Sequence, residues 1–530
     1  MTALADVHDL ATLTARAAQL WPERPAWLFD TGDEPREFTF AEVHSRSDEH
    51  AAALARMGVS AGDRVALMLR NRPEFPLLWL AAAKLGAVMV PVNINYRELD
   101  GAHVLADSGA RFAVAEPEFA PMLRAIVDRT SVERVLTPDE VTPEDARVPT
   151  SGRASPLLPS PVAERPVNIQ YTSGTTGQPK GCVLPHRYWT TLARGLVDGH
   201  PAIGPRDVML TAQPFHYIDP QWQVALGLAA GARLVVLDRF HPATFWPKVR
   251  EHGVTWFYCL GMMPTLLLRQ PPSPEDTRHR VRAVHASAIP RELHAELEAR
   301  WGVPWFEAFG MTETGADIRV RPQDHDELVG SGCIGTPTPG REVAVLDDGG
   351  VPVPRGQTGE LAVRGVGLML GYHRRPDETA RVFHNGWFHT GDLATMDDRG
   401  RVYYVGRTKD MIRRSGENVA AEEVERALLQ HDGVRLAAVI AVPDELRGEE
   451  IKALVVPTDG ADLRPDELAE QLAEQLAEHC AVKLAYFKVP RYWSVVDDLP
   501  LTASERVAKG ALREGDPVRG AYDRVERTWR

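Results

Sequence analysis

Tyr171-Thr172-Ser173-Gly174-Thr175-Thr176-Gly177-Gln178-Pro179-Lys180-Gly181 is the densest run of hydroxyls and glycines in the chain, and a lysine stands at its end. The residues leading into it, Pro166-Val167-Asn168-Ile169-Gln170-Tyr171, alternate apolar and polar and predict a strand. The run is therefore a loop leaving a strand. Its glycines let the backbone approach a ligand closely. Successive N–H groups and the hydroxyls of Thr172, Ser173, Thr175 and Thr176 suit phosphate oxygens, and Lys180 adds a positive charge. The spacing is not that of the Walker loop, G-x-x-x-x-G-K-[ST]. Two residues separate Gly177 from Lys180, and Gly181 stands where Ser or Thr is required. A Gly/Ser/Thr loop alone is commonplace, so its meaning rests on what accompanies it.

Upstream, a helix is predicted over 39–57, ending at Gly58. It is followed by a strand at 63–69, a helix at 73–85 and strands at 88–92, 112–115 and 134–136. Residues 137–166 turn rich in Pro, Ser, Glu and Asp and read as a linker. Downstream come a helix near 188–196, a strand at 208–211, and further α/β units through 233–237 and 254–258, followed by the stretches 281–290 and 305–314. Such alternation predicts an α/β fold with a largely parallel sheet, built as two subdomains. From about 336 to 408, short strands separated by Gly, Pro and Asp turns, with no helices between them, predict a β-rich subdomain. Residues 409–530 predict a small α+β domain with helices at 421–429 and 466–480. The expected division is thus 1–408 and 409–530.

The 530 residues carry a formal net charge of -13, which argues against a general nucleic-acid binder and against docking on anionic membranes. Cys182, Cys259, Cys333 and Cys480 form no C-x-x-C pair, so neither a zinc site nor a disulfide framework is indicated. Reduced thiols and a cytoplasmic location are the simplest reading. No uncharged apolar run reaches the ~18–20 residues of a membrane span.

Four further stretches carry chemistry. In Phe309-Gly310-Met311-Thr312-Glu313, a carboxylate beside phosphates calls for a cation between them, and Mg2+ prefers oxygen ligands. Glu313 is the candidate magnesium ligand, Thr312 a phosphate donor, and Phe309 a ring for adenine. In Trp387 to Leu393, Asp392 suits ribose hydroxyls, while His389 reads as structural. Gly406-Arg407-Thr408-Lys409-Asp410-Met411-Ile412 is followed by Ser415-Gly416-Glu417-Asn418-Val419. Leu499 to Lys509 brings Arg506 and Lys509. A fifth stretch, Gln213 to Trp222, stands out for its aromatics and reads as a core-lining loop.

These motifs, in this order, resemble the adenylate-forming superfamily, in its acyl- and aryl-CoA ligase branch, over residues 10 to 514. The resemblance implies an ATP-dependent, AMP-forming ligase that activates an acid as an acyl-adenylate and then forms its CoA thioester. It implies nucleotide contacts from Thr172, Ser173, Gly174, Thr175, Thr176, Gly177, Lys180, Ala286, Ser287, Ala288, Glu307, Phe309, Gly310, Thr312, Asp392, Tyr404 and Arg407, with magnesium at Glu313. It also implies a hinge at Lys409 about which the C-terminal domain swings, and CoA contacts from Ser415, Gly416 and Glu417. His216 matches the mouth of the acyl pocket, which Phe215, Tyr217, Asp219, Trp222, Met262 and Met263 would line for an aromatic or medium-sized acid. The chain departs from the family in having Phe309 for the usual Tyr, and Glu505-Arg506 where Gly-Lys is usual. Arg506, or Lys509 in its place, must then supply the catalytic cation. Two alternatives stand beside this. One is adenylation without CoA, such as nitrite activation by a diazotase, with Asp219 reading an aryl amine. The other is a non-catalytic ATP-binding scaffold. The partners expected are the acid, ATP and CoA, with no nucleic acid and no membrane; a homodimer is left open.

Overall fold

The computed structural model describes residues 7–32, 34–141, 162–172, 179–414, 417–444, 447–458, 467–501 and 507–530. The chain divides into two compact units, Met1–Val343 with Val363–Phe388, and Ala344–Ala362 with His389–Arg530.

The first unit holds two sheets. One runs in the order Arg36–Thr39, Pro25–Asp30, Arg233–Leu237, Val208–Thr211, Trp256–Leu260, Ala283–Ser287, Trp305–Met311, Gly315–Arg319, Cys333–Pro337. Its inner strands are parallel, because each is joined to the next through a helix. The other is seven-stranded: Gly371–Tyr372, Lys180–Pro185, Pro166–Thr172, Val88–Pro91, Arg64–Met68, Phe112–Ala115, Arg134–Leu136. The helix Phe40–Arg56 begins in a capping box between Thr39 and Glu42. Glu74–Leu85 ends on Gly86 at φ 70°, a left-handed cap that glycine takes without a Cβ penalty. Around the first sheet, Trp246, Phe257, Trp301 and Trp305 form an apolar core, with Trp246 stacked on Trp301 at 4.9 Å.

The second unit contains the hairpin of Trp387–Met396 with Val402–Arg407, from His389 onward, and a seven-stranded sheet. In that sheet Gly448–Pro457 pairs antiparallel with Val434–Asp444 and parallel with Tyr492–Val495. Helices Ala421–Leu429 and Glu467–Lys483 pack against it through Val424, Leu428, Leu472 and Leu476. The architecture is the expected mixed α/β fold with a small α+β portion at the C-terminus.

Several local expectations need correction. The strand expected ahead of the loop is present as Pro166–Thr172, but its inner polar residues are not solvated. Asn168 and Gln170 are as buried as Val167 and Ile169, because the strand lies inside its sheet with both faces covered. The region taken as linker includes the helix Pro138–Val141, whose Val141 carbonyl meets His50 Nδ1 at 3.0 Å. The aromatic stretch is a loop only to Tyr217, after which Ile218–Ala230 is helical. A helix, Pro376–Val382, also interrupts the β-rich segment. The four cysteines are buried and free. Among the described residues, no helix is long and apolar enough to cross a membrane.

Candidate active site

The strand before the hydroxyl- and glycine-rich loop and the strand after it are antiparallel neighbours, with Thr172 opposite Lys180. The loop between them, including Ser173, Gly174, Thr175, Thr176 and Gly177, lies outside the described residues. Beyond Lys180–Pro185 the next strand brings Tyr372 opposite Cys182. Lys180 pairs with Glu378, and its Nζ lies 5.3 Å from the Tyr372 ring centroid. Lys180 holds the Glu378 carboxyl below the usual range. The Tyr372 hydroxyl donates to Glu313 Oε1 at 2.9 Å. One tyrosine therefore touches both the lysine of the loop and the carboxylate read as a metal ligand 133 residues later.

Glu313 sits in the turn Thr312–Thr314 that joins Trp305–Met311 to Gly315–Arg319. It is 8% exposed, while Thr312 is half-buried. A Cβ on Gly310 would lie 1.8 Å from the Gly315 carbonyl oxygen, so only glycine allows the strands to close here. A buried ion pair staples the turn from behind. Arg341 Nε meets Asp317 Oδ1 at 3.0 Å, its other arm donates to the Thr314 carbonyl at 2.6 Å, and Thr314 Oγ1 donates to Asp317. Burial pushes Asp317 up to about 6, against the opposite pull of Arg341. Glu307 accepts the N–H groups of Ala288 (2.7 Å) and Ile289 (2.9 Å), which holds Ala288 at φ 67°. Ser287 bridges the Tyr258 hydroxyl and the Ala308 carbonyl. Ala286, Ser287, Ala288, Glu307, Phe309 and Gly310 are thus gathered at the ends of two adjacent parallel strands.

The aromatic stretch lies in the same unit. His216 is 4% exposed, and burial drives its pKa down to about 3, so the imidazole is neutral. Tyr217 packs on it at 4.4 Å. Phe215 is fully buried and stacked on Phe29 and Phe75, so its ring supports the loop from the core. Trp222 meets Trp256 and Tyr258 edge-on, and its Nε1 lies 3.5 Å from Asp219 Oδ1. Met263 is buried, whereas Met262 is exposed.

In the second unit, Asp392 faces Arg407 across the hairpin; Arg407 Nε lies 2.9 Å from Asp392 Oδ1. Burial, with Glu422 and Asp392 nearby, raises the Tyr404 phenol. Lys409 lies in the short turn Thr408–Asp410. Asp410 pairs with Arg513 at 2.9 Å, and Lys509 Nζ pairs with Glu425 at 2.7 Å. Ser415, Gly416 and Arg506, and the side chains of Lys409 and Glu417, lie outside the described residues. Reading the sequence passed over Tyr372, Glu378 and the Asp317–Arg341 staple. None stands in a run with a local signal, and only the pairing of distant strands brings them to Glu313.

Residues 14–373 match the model of the AMP-binding enzyme family, and residues 423–506 match that of its C-terminal domain. The chain belongs to the AMP-binding enzyme family. It is 32% identical over 514 residues to the crotonobetaine/carnitine–CoA ligase of Citrobacter koseri, covering 94% of this chain and 97% of the relative. It is 33% identical over 515 residues to the sulfoacetate–CoA ligase of Cupriavidus necator, at 95% and 97% coverage. The o-succinylbenzoate CoA synthetase of Bacillus subtilis, solved with its acyl-adenylate intermediate, superposes with a TM-score of 0.83 at 28% identity, covering 95% of this chain and 98% of that one. The same synthetase has been solved with ATP and magnesium ion (TM-score 0.82, 27% identity, 95% and 99% coverage). The class of this AMP-binding enzyme is that of the adenylate-forming acid–CoA ligases, and the scaffold alternative gives way to it.

Proposed function

We propose that this enzyme activates an aromatic or medium-sized carboxylic acid with ATP and transfers the acyl group to CoA. The observation that carries the reading is the Tyr372 contact shared by Lys180 and Glu313. It brings Lys180 and Glu313, the two proposed halves of a phosphate site far apart in sequence, to one side chain. A buried carboxylate beside a hydroxyl, in the half-buried Thr312–Glu313 turn, is an oxygen donor set of the kind Mg2+ takes. Glu313 would hold the ion, which supplies positive charge against the phosphates. Lys180 and the loop from Thr172 to Gly177 would hold those phosphates. Phe309 and the backbone of Ala286 to Ala288 would hold adenine, and Asp392 the ribose hydroxyls beside Arg407 and Tyr404.

In the first step a carboxylate oxygen attacks the α-phosphorus, the bond to pyrophosphate breaks, and acyl-AMP forms. Positioning and charge neutralisation are the protein's main work. Arg506 is the proposed cation between the attacking carboxylate and the α-phosphate. Lys509 is already engaged with Glu425 in a partly buried pair, which favours Arg506 for that task. In the second step the CoA sulfur attacks the acyl carbon and AMP leaves. His216, Tyr217, Asp219, Trp222 and Met262 are proposed around the acid, and Ser415 to Glu417 beside CoA. The domain 409–530 is proposed to swing at Lys409 between the steps. Lys409 stands in the short turn Thr408–Asp410, directly after the hairpin strand Val402–Arg407.

The test is pyrophosphate release across a panel of aromatic and aliphatic acids, with and without CoA. Acid-dependent pyrophosphate and AMP are expected, with thioester only when CoA is present. ATP turnover that no acid stimulates would sink the reading. Acid-dependent pyrophosphate with no thioester would sink its second half.

A further inference from the structure

Three side-chain amides are buried under the aromatic loop, and their bonds converge on its backbone. Asn71 Nδ2 donates to the Gln213 carbonyl (3.0 Å), and its Oδ1 accepts from Phe215 N–H (2.9 Å). Gln170 Nε2 donates to the His216 carbonyl at 2.7 Å. Gln221 Nε2 donates to the carbonyls of Phe215 (2.9 Å) and Tyr217 (3.0 Å) and reaches Gln170 Oε1 at 3.2 Å. Gln221 Oε1 in turn accepts from Asn168 Nδ2 at 2.9 Å, and Asn168 Oδ1 from the Trp79 indole at 2.8 Å. Asn168, Gln170 and Gln221 are at most 3% exposed.

Burying amides is costly unless their bonds are made, and a fully bonded network specifies one arrangement. Here the specified object is three consecutive carbonyls, Phe215 to Tyr217. They are held to the strand Pro166–Thr172, which runs directly into the phosphate loop. The His216 ring is treated oppositely: its backbone is gripped, while neither ring nitrogen has a hydrogen-bond partner among the described residues.

We propose that Gln221 and Gln170 are positioning residues for the acid substrate, coupling the placement of His216 and Tyr217 to the phosphate-loop strand so that the carboxylate meets ATP in register. The proposal rests on the reading of this loop as the acid site.

The test compares Gln221→Met and Gln170→Met with Trp79→Phe, which breaks the same network at its far end without touching the loop. Both glutamine variants should raise the KM for the acid and lower kcat by about tenfold or more, while moving the KM for ATP less than about twofold. Hydrogen–deuterium exchange of 213–217 should quicken in both. Trp79→Phe should lower Tm yet leave the acid KM and that exchange unchanged. If Gln221→Met does not fold, Gln170→Met, which loses only the donors to one carbonyl and its own acceptor, carries the test. Unchanged acid KM in a folded glutamine variant, or an equal shift in Trp79→Phe, would reduce the network to core packing. Wild-type enzyme without acid-dependent pyrophosphate would refute the ligase reading instead; the exchange comparison still decides whether the amides hold the loop.

Discussion

Glu313 and Asp392 are both buried carboxylates, yet they are neutralised differently. Asp392, with no exposed surface, has Arg407 across its hairpin at 2.9 Å. Glu313 has a tyrosine hydroxyl, and no basic side chain is paired with it among the described residues. Burying a carboxylate is costly unless a charge or hydrogen bonds compensate. One carboxylate therefore has its counter-charge in the fold; the other, in the proposed function, would meet its counter-charge as the cation that comes with the nucleotide. A buried acid with a built-in partner is part of the scaffold as well as of the site, whereas one without is more purely a binding group.

The largest effect that would break this contrast is at Glu313. Glu313→Ala should lower pyrophosphate release by about 10²–10³-fold, the scale of losing one electrostatic group, and raise the magnesium needed for half-activity, with Tm unchanged or higher. Near-normal release across a magnesium titration would remove Glu313 from the site.

Arg506 and Lys509 extend the contrast to cations. Arg506→Ala should slow adenylation by about 10²-fold and spare thioester formation from supplied acyl-adenylate. Lys509→Ala leaves Glu425, whose pKa burial raises, without its partner, and should chiefly lower Tm. Reversed results in the two half-reactions would assign the catalytic charge to Lys509.

At Asp392, Asp392→Asn should weaken ATP binding and also cost about 1–3 kcal/mol of stability, because Arg407 loses its counter-charge. Chemical denaturation that leaves Asp392→Asn as stable as Glu313→Ala would abolish the distinction drawn here. Lys409→Pro fixes φ near −65° just past the Asp392–Arg407 tie and should slow the two half-reactions unequally; equal slowing would argue against a pivot there.

An effect that shows only as pH is changed concerns His216, a buried group that avoids the problem by staying neutral. Its pKa in the fold is about 3, against 6.5 as the ordinary value. Between those values the unfolded chain binds a proton that the folded chain does not, so stability falls as pH drops through this window, by at most about 1.4 kcal/mol per pH unit. His216→Leu should flatten that part of the wild-type curve in equilibrium unfolding from pH 6.5 to 4. Parallel curves would mean that the ring does protonate in the fold.

Much of the fold was legible because each strand–helix unit is local: the helix before Gly86 and the strands at Val88 and Phe112 follow from periodicity and caps within a few residues. The errors came where burial is decided at a distance. Asn168 and Gln170 look like the wet face of an alternating strand, and only the helix carrying Gln221, packed above them, turns them into buried hydrogen-bonding groups. The helix Ile218–Ala230 likewise begins inside a stretch whose aromatics suggested a loop.

For the site, residue type and short spacing are local facts, so the chemistry on offer could be read along the chain: a hydroxyl- and glycine-rich loop with Lys180, a Thr312–Glu313 pair, Asp392, and basic residues at 506 and 509. Which groups share a neighbour follows from the folded arrangement alone. Tyr372 joins Lys180 to Glu313, Arg341 staples the turn through Asp317, Arg407 answers Asp392, and Glu425 engages Lys509. Charge compensation in a buried site acts over a few ångströms in space, and strand order, which no local pattern encodes, sets who is that close.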